Sequence, residues 1–281
     1  MKLIDSKVEV IEQQPGLDGV YKQVELAGRT CYRSYDKITE HSAKEFVDRM
    51  IGSKHGAILE HGTVYLKITG KRDDENQYWE FPIDSYYRAF MRNKYSRVRE
   101  IWTDGVVEYY ITTNLRVIIE NGFTESLKYI CEPTEHHIKR ITARFTCDRG
   151  VSHEIVRHRV MSFAQESQRY VGYDKEKFGG EVTFVKPHWY DEEFPACLTW
   201  IESLKDSEKK YLELREAGLK PQDARGVLPN ATKTEIVVTG FESDWEHFFS
   251  LRSPKAGAQG PHPDIAKLAD ELYEKLNSVN K

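Results

Sequence analysis

The chain reads as an α+β fold: mixed helices around a central, largely antiparallel sheet, in a single domain carrying a long insertion at about residues 69–140. Three observations predict it. Stretches with helical spacing and stretches that alternate are mixed along the chain without the regular β-α-β order of a parallel sheet. At 281 residues, with 39% hydrophobic and 31% charged side chains, the chain can bury a sizeable core. From about Thr69 to Arg140 the text turns polar and aromatic, with no repeat and no glycine- or serine-rich linker. Such a segment packs on the parent domain rather than forming a second one.

Taken in order, Lys7 to Ile11 alternates enough for a first strand. Leu17 to Cys31 has apolar residues at helical spacing, with Gly28 near its end. Thr39 to Lys54 is a second amphipathic helix, apolar at Ala43, Phe46, Val47, Met50 and Ile51. Thr63 to Ile68 alternates as a half-buried strand. The insertion then brings the polar run Asp73-Asp74-Glu75-Asn76-Gln77 and a basic run from Arg88 to Arg99. Thr142 to Cys147 is a short strand that turns at Asp148-Arg149-Gly150 into a helix expected to carry Arg157. Residues 171–200 are loop-rich. Leu198 to Ala217 is a helix stopped by Gly218, and Pro221 to Leu228 is another, broken at Pro229. Thr232 to Gly240 reads as a strand, Trp245 to Arg252 as a helix, Ser253 to Pro263 as a loop and Asp264 to Leu276 as a last amphipathic helix.

The formal net charge of −4 argues against broad binding to nucleic acid or membrane surfaces, so any anion site must be a local concentration of arginines. Cys31, Cys131, Cys147 and Cys197 are far apart with no C-x-x-C pair, as expected of reduced thiols in a cytoplasmic protein. The charged start Met1-Lys2-Leu3-Ile4-Asp5-Ser6 lacks the apolar run of a signal peptide, and no stretch approaches membrane-spanning length.

One stretch concentrates the chemistry: Arg157-His158-Arg159, then seven residues including Gln165, then Ser167-Gln168-Arg169-Tyr170. Successive helical residues turn by about 100°, so the three leading cations cannot share one helix face. Some must point inward or across a subunit boundary. Arginine forks suit phosphate, and serine and glutamine supply neutral hydrogen bonds to a heterocycle, so the residue types fit a phosphorylated, nitrogen-rich ligand. The same composition also occurs in a solvated helix end or a polar network capping a core helix. Other motifs fail. In His153-Glu154-Ile155-Val156-Arg157-His158 the second histidine falls at i+5, about 140° from the first, which spoils the zinc motif. His136-His137, and His262 between Pro261 and Pro263, are read as surface or loop histidines without the cysteine or carboxylate partners of a metal site. No dinucleotide-binding fingerprint, P-loop or nucleophile elbow is present. Cys147 and Cys197 read as buried structural thiols.

Five blocks in order resemble the flavin-dependent thymidylate synthases. They are Gly28-Arg29-Thr30-Cys31-Tyr32, with glycine where the family has alanine; His55-x4-Glu60-His61; the R-H-R-x7-S stretch from Arg157 to Tyr170; Asp223-Ala224-Arg225-Gly226-Val227-Leu228-Pro229; and Trp245 to Arg252 followed by Ala258-Gln259 and Pro263-Asp264-Ile265. The resemblance implies an enzyme that makes dTMP from dUMP without a protein nucleophile. FAD reduced by NADPH would supply the hydride and methylenetetrahydrofolate the carbon. The protein's task is then mainly to position rings and phosphates and to polarise the pyrimidine.

Carried over residue by residue, the resemblance implies FAD contacts from His55, Ala57, Arg157, His158, Arg159, Gln165 and His247. It implies dUMP contacts from Glu154, Arg157, Gln165, Ser167, Gln168, Arg169, Arg225 and Arg252. Arg252 is the candidate catalytic group, a fixed charge favouring ionisation at N3 of the uracil. A homotetramer with shared active sites and no metal is implied as well. Besides Gly28, the chain departs from the family where Ala164 replaces a frequent asparagine, Glu154 a frequent glutamine and His247 a frequent asparagine, and where Phe241 to Ser243 does not match its N-x-R segment. A carboxylate at position 154 requires a base N–H or an arginine as partner. The alternatives are a relative acting on another pyrimidine nucleotide and a nucleotide-binding protein without the chemistry.

Overall fold

The computed structural model describes residues 1–72, 78–79 and 83–278; the run Asp73 to Gln77 lies outside them. The strands are β1 (Lys2–Ile4), β2 (Lys7–Ile11), β3 (Thr63–Arg72), β4 (Tyr78–Trp79), β5 (Arg97–Thr103), β6 (Val106–Asn114), β7 (Arg140–Asp148), β8 (Ser162–Gln165), β9 (Thr183–Val185) and β10 (Lys233–Phe241). The helices are α1 (Gly16–Tyr32), α2 (Ser42–Gly52), α3 (Gly56–Leu59), α4 (Ile83–Arg92), α5 (Leu115–Glu120), α6 (Arg149–Ile155), α7 (Pro195–Glu216), α8 (Pro221–Ala224), α9 (Glu242–Arg252) and α10 (Pro263–Ser278).

The fold is α+β, and its larger sheets are antiparallel. The strands divide between two four-stranded sheets instead of forming one central sheet. One has the order β2-β7-β10-β8, the other β4-β3-β6-β5. Most of the second sheet comes from the polar and aromatic segment that reads as an insertion. A short parallel pair, β1 with β9, completes the strands.

Alternation along β10 decides which side chains meet. Ile236 and Val238 face a core closed by α6, α9 and α10, with Phe145, Cys147, Trp245, Phe248 and Leu268. Fully buried Trp245 keeps its indole N–H satisfied by the Ile141 carbonyl at 3.1 Å, so a large apolar side chain is buried without an orphaned donor. Val237 faces the other way, toward α1, packing with Ala27 and Ala164. Gln165 pairs with Ile236 and Ala164 with Val237, so on β8 the glutamine points to α6 and the alanine to α1. The strand β8 itself was not expected from the sequence. It exists because four residues of the Arg157–Tyr170 stretch pair along the edge of β10.

The second sheet has its own core, in which Val64, Leu66, Ile111, Leu115 and Ile118 pack with Val20, Val24, Phe46 and Val47 of α1 and α2. Gly28 is explained there. A Cβ at that position would come within 2.3 Å of the Phe46 ring, so the α1–α2 crossing leaves no room for alanine. Phe241 is 3% exposed and carries the Arg97 guanidinium 4.5 Å from its ring centroid and the Arg140 guanidinium at 5.5 Å. Its aromatic ring thus ties β5 to the end of β10.

Candidate functional site

The helix α6 organises the candidate residues. Asp148 caps it by accepting the Val151 N–H at 2.7 Å. The helix ends at Ile155, so Arg157 does not lie on it, contrary to the expectation above. The Arg157 and His158 amides bond back to the Glu154 and Ile155 carbonyls, an i→i−3 pattern that tightens the last turn and releases the chain. His158 then turns inward while Arg157 and Arg159 stay exposed. The three cations separate because the backbone has already left the helix.

Two groups form around α6. In the first, the Arg252 guanidinium at the end of α9 donates from Nη1 to the Glu154 carboxylate at 2.5 Å and from Nε to His158 Nε2 at 3.2 Å. Acceptance at Nε2 leaves the proton of a neutral imidazole on Nδ1. Burial, then the Arg252 and His247 charges, push the His158 imidazole down to about 4, so it is neutral at pH 7. Its ring lies edge-on to Phe248 at 4.8 Å and to His247 at 6.2 Å; His247 is exposed. The carboxylate at position 154 has found an arginine.

In the second group Gln165 donates from its amide to Ser152 Oγ at 2.8 Å and to Thr234 Oγ1 at 3.2 Å. Arg149 reaches the same Thr234 hydroxyl at 3.5 Å and the Glu166 carbonyl at 3.4 Å. Burial lowers the Arg149 pKa, and the Arg225 charge lowers it further. Among the described residues the exposed Arg225 donates only to the Gln222 carbonyl, at 3.2 Å.

Beyond Gln165 the chain crosses to the C-terminal end of α1. The Ser167 amide donates to the Cys31 carbonyl at 2.9 Å, and Tyr170 packs on Tyr32 with centroids 5.2 Å apart. The Arg169 guanidinium lies over the Tyr170 ring at 5.5 Å and is exposed, while Gln168 is buried. Beneath this turn Lys233 Nζ bonds Glu166 Oε2 at 2.9 Å and Glu235 Oε1 at 2.6 Å. Tyr35 donates to Glu235 Oε2 at 2.7 Å. Burial raises the Glu166 pKa against the pull of Lys233.

His55 and Ala57 stand exposed at the start of α3, which reaches β8 through Ile58 packed on the Ala164 cluster. Among the described residues no hydrogen bond or ion pair joins them to either group around α6. Ala164 is 2% exposed and faces α1, so an asparagine there would be buried among Ala27, Val237 and Ile58. Sequence reasoning missed Arg149, Ser152 and Thr234. Their one signal was the i,i+3 spacing of Arg149 and Ser152 after a cap. It also missed the Glu166–Lys233–Glu235–Tyr35 network, in which Glu166 and Tyr35 are remote in sequence from Lys233 and Glu235.

A cavity of about 650 Å³ lies elsewhere, between the two sheets, bordered by Gln13, Tyr65, Arg140, Glu242 and Lys275, and contains none of these residues. There Arg140 Nη1 and Nη2 bond the Glu60 carbonyl and Gln13 Nε2 the Thr63 carbonyl, while Arg140 Nε is buried without a hydrogen-bond partner among the described residues. No helix among the described residues is long and apolar enough to cross a membrane.

The family model described as thymidylate synthase complementing protein matches residues 132–280, a little over half of the chain. That stretch includes α6, β8, β10 and α9 but not His55, Ala57 or Gly28. A flavin-dependent thymidylate synthase of Thermococcus kodakarensis is 40% identical over 158 residues, covering 56% of this chain and 62% of that protein. One of Pyrococcus furiosus is 36% identical over 145 residues, 46% of this chain and 59% of that protein. One of Mycobacterium bovis is 36% identical over 140 residues, 47% and 54%. The chain thus matches about half to three fifths of the length of these curated relatives. A crystal structure of a UMP/dUMP methylase from Streptomyces cacaoi bound with 5-Br dUMP aligns over 99% of this chain and 93% of that one. The TM-score is 0.46 at 16% identity.

Proposed function

The chain belongs to the thymidylate synthase complementing protein family, that of the flavin-dependent thymidylate synthases, and from that premise we propose that it methylates dUMP at C5 to give dTMP. FAD is the cofactor, NADPH the reductant and methylenetetrahydrofolate the carbon donor. One observation carries the reading. Arg157, Arg159, Arg169 and Arg225 are exposed, and among the described residues no carboxylate pairs with any of them, in a chain whose formal net charge is −4. Unpaired guanidinium forks suit phosphate and diphosphate.

On this reading Arg169 and Arg225 hold the dUMP phosphate, and Gln165, Ser167 and Gln168 hydrogen-bond its sugar and base. Arg157 contributes to both ligands. The donor chemistry fits FAD: Arg157 and Arg159 offer charge to its diphosphate, and neutral His158 offers a flat ring that adds no charge. His55, Ala57 and His247 complete the cofactor's surroundings across the subunit interfaces of a homotetramer. Bound FAD, reduced by NADPH, supplies the hydride. The protein supplies orientation and charge. Arg252 uses Nε and Nη1 on His158 and Glu154, so its Nη2 corner is the part that faces the uracil and stabilises negative charge at N3. Glu154 fixes that guanidinium in place.

The Glu154–Arg252 pair also favours a second reading, a relative that methylates another pyrimidine nucleotide, since a carboxylate beside the base alters which ring edge is accepted. Turnover of dUMP against dCMP and UMP separates the two. The cofactor is tested by the absorbance spectrum of protein incubated with FAD. Visible flavin bands that bleach on NADPH with dUMP present support the reading. Failure to retain FAD would overturn it.

A further inference from the structure

At the start of α10, three side chains that the proposed reaction does not use come together. Asp264, in the first turn of α10, faces two histidines from different loops. Its Oδ1 lies 3.3 Å from His188 Nδ1 and its Oδ2 3.7 Å from His262 Nδ1. One donor atom from each of the three falls within 4.8 Å of the others. The reading of His262 as a loop histidine without a carboxylate partner is therefore corrected: Asp264 sits two residues on, and the fold brings His188 from a distance of 76 residues to Asp264.

We propose that His188, His262 and Asp264 form a binding site for a divalent first-row transition metal ion, with zinc as the ion it takes. Two imidazoles and one carboxylate are the ligand types zinc prefers, with a fourth position open to water. In a tetrahedral site with bonds of about 2.0–2.1 Å, ligand atoms stand roughly 3.3 Å apart. The His188 and His262 nitrogens lie 3.3 and 3.7 Å from the two oxygens of Asp264, and with one ligand atom per residue all three fall within 4.8 Å, so small side-chain rotations close the set on one ion.

The site is held before any ion arrives. The Asp264 carboxylate also accepts the His188 backbone N–H at 2.6 Å, which aligns the loop with the helix. The loop is anchored by Trp189 and Tyr190 against Trp200 of α7, with centroids 5.9 and 6.0 Å apart. On the other side Pro261 and Pro263 restrict the backbone around His262. The imidazole side chains are 39% and 54% exposed, so an ion has a direct path in. Acidic clusters of this size attract Mg²⁺ or Ca²⁺; a set with two imidazoles does not.

The test uses the full chain without a polyhistidine tag. Zinc is titrated calorimetrically, and Co²⁺ is followed by its visible absorption. One ion per chain is expected, with Mg²⁺ giving no competing signal. Losing a group that merely orients a ligand costs about 10–100-fold in metal affinity, so His188→Ala and His262→Ala should each lower affinity at least about tenfold. Both positions are exposed, so neither change should unfold the chain. Asp264→Asn keeps an acceptor for the His188 amide, and its loss of zinc binding separates ligation from loop anchoring. Shifts of the His188 and His262 ring resonances on adding zinc give a readout on the unmodified protein. Absence of zinc binding at tens of micromolar, or full binding by the His188→Ala/His262→Ala variant, overturns the proposal.

Discussion

Replacing Lys233 by methionine removes the cation hydrogen-bonded to both Glu166 and Glu235, and the structure sets the size of the effect. The Lys233 and Glu166 side chains are 9% and 1% exposed, with Nζ 2.9 Å from Oε2. At that separation and an effective dielectric constant of about 20, the gross attraction is ~6 kcal/mol, part of which offsets the desolvation of both groups. Without the lysine, the least costly response is protonation of Glu166. From an ordinary value near 4.5, holding that carboxyl neutral at pH 7 costs roughly 3 kcal/mol. Loss of a buried partner is expected to cost about 3–5 kcal/mol, and the two routes agree. The sign with pH follows. Burial raises the Glu166 pKa in the fold, so the folded variant binds a proton that the unfolded chain has lost above about pH 4.5. Its deficit is smallest near pH 5 and grows as pH rises. Urea unfolding of both proteins from pH 5 to 8, followed by tryptophan fluorescence, measures it. Adding Glu166→Gln to the variant should recover part of the loss and flatten the pH dependence. A deficit below about 1 kcal/mol, or one unchanged between pH 5 and 8, would refute the reasoning.

Three further outcomes are expected. Arg252→Ala should leave FAD bound while dTMP formation falls at least about 100-fold, and His158, freed of the neighbouring charge, should titrate above its present value of about 4; product analysis and histidine NMR check both halves. His61 is fully buried with Nδ1 2.9 Å from the Thr239 hydroxyl, and burial followed by the Arg140 charge lowers its pKa from 6.5 to about 3. The unfolded chain therefore takes up a proton that the folded one refuses, and stability falls below about pH 6.5 by up to ~1.4 kcal/mol per pH unit for this group; His61→Gln should remove that slope, as unfolding curves between pH 6.5 and 4 would show. Gly28→Ala places a methyl group 2.3 Å from the Phe46 ring and should cost about 1–3 kcal/mol despite the better helix former; a stabilised variant in thermal unfolding would contradict the packing account.

What could be read from the sequence was local. The apolar spacing from Leu17 to Cys31 anticipates α1 (Gly16–Tyr32), and the alternation in Thr232 to Gly240 anticipates β10 (Lys233–Phe241), because one buried face imprints a period on the residues themselves. The strand β8 left no such mark. Four residues, Ser162 to Gln165, become a strand only through an edge of β10 some seventy residues later. The same holds for β1, which depends on β9. In the candidate site, arginines and glutamines around Arg157 could be named from residue type and resemblance. That Glu154 pairs with Arg252, or Glu166 with Lys233, is a property of chain crossings 98 and 67 residues apart. Gly28 looked like a simple departure from the family, and only the position of Phe46 gives it a reason.

The most direct test of the proposed function is to supply dUMP, FAD, NADPH and methylenetetrahydrofolate labelled in its methylene carbon, and to follow the nucleotide. The account predicts labelled dTMP whose formation requires FAD and is lost in Arg252→Ala. Unlabelled dUMP recovered intact from protein that retains FAD, or labelled dTMP formed without any flavin, would contradict it.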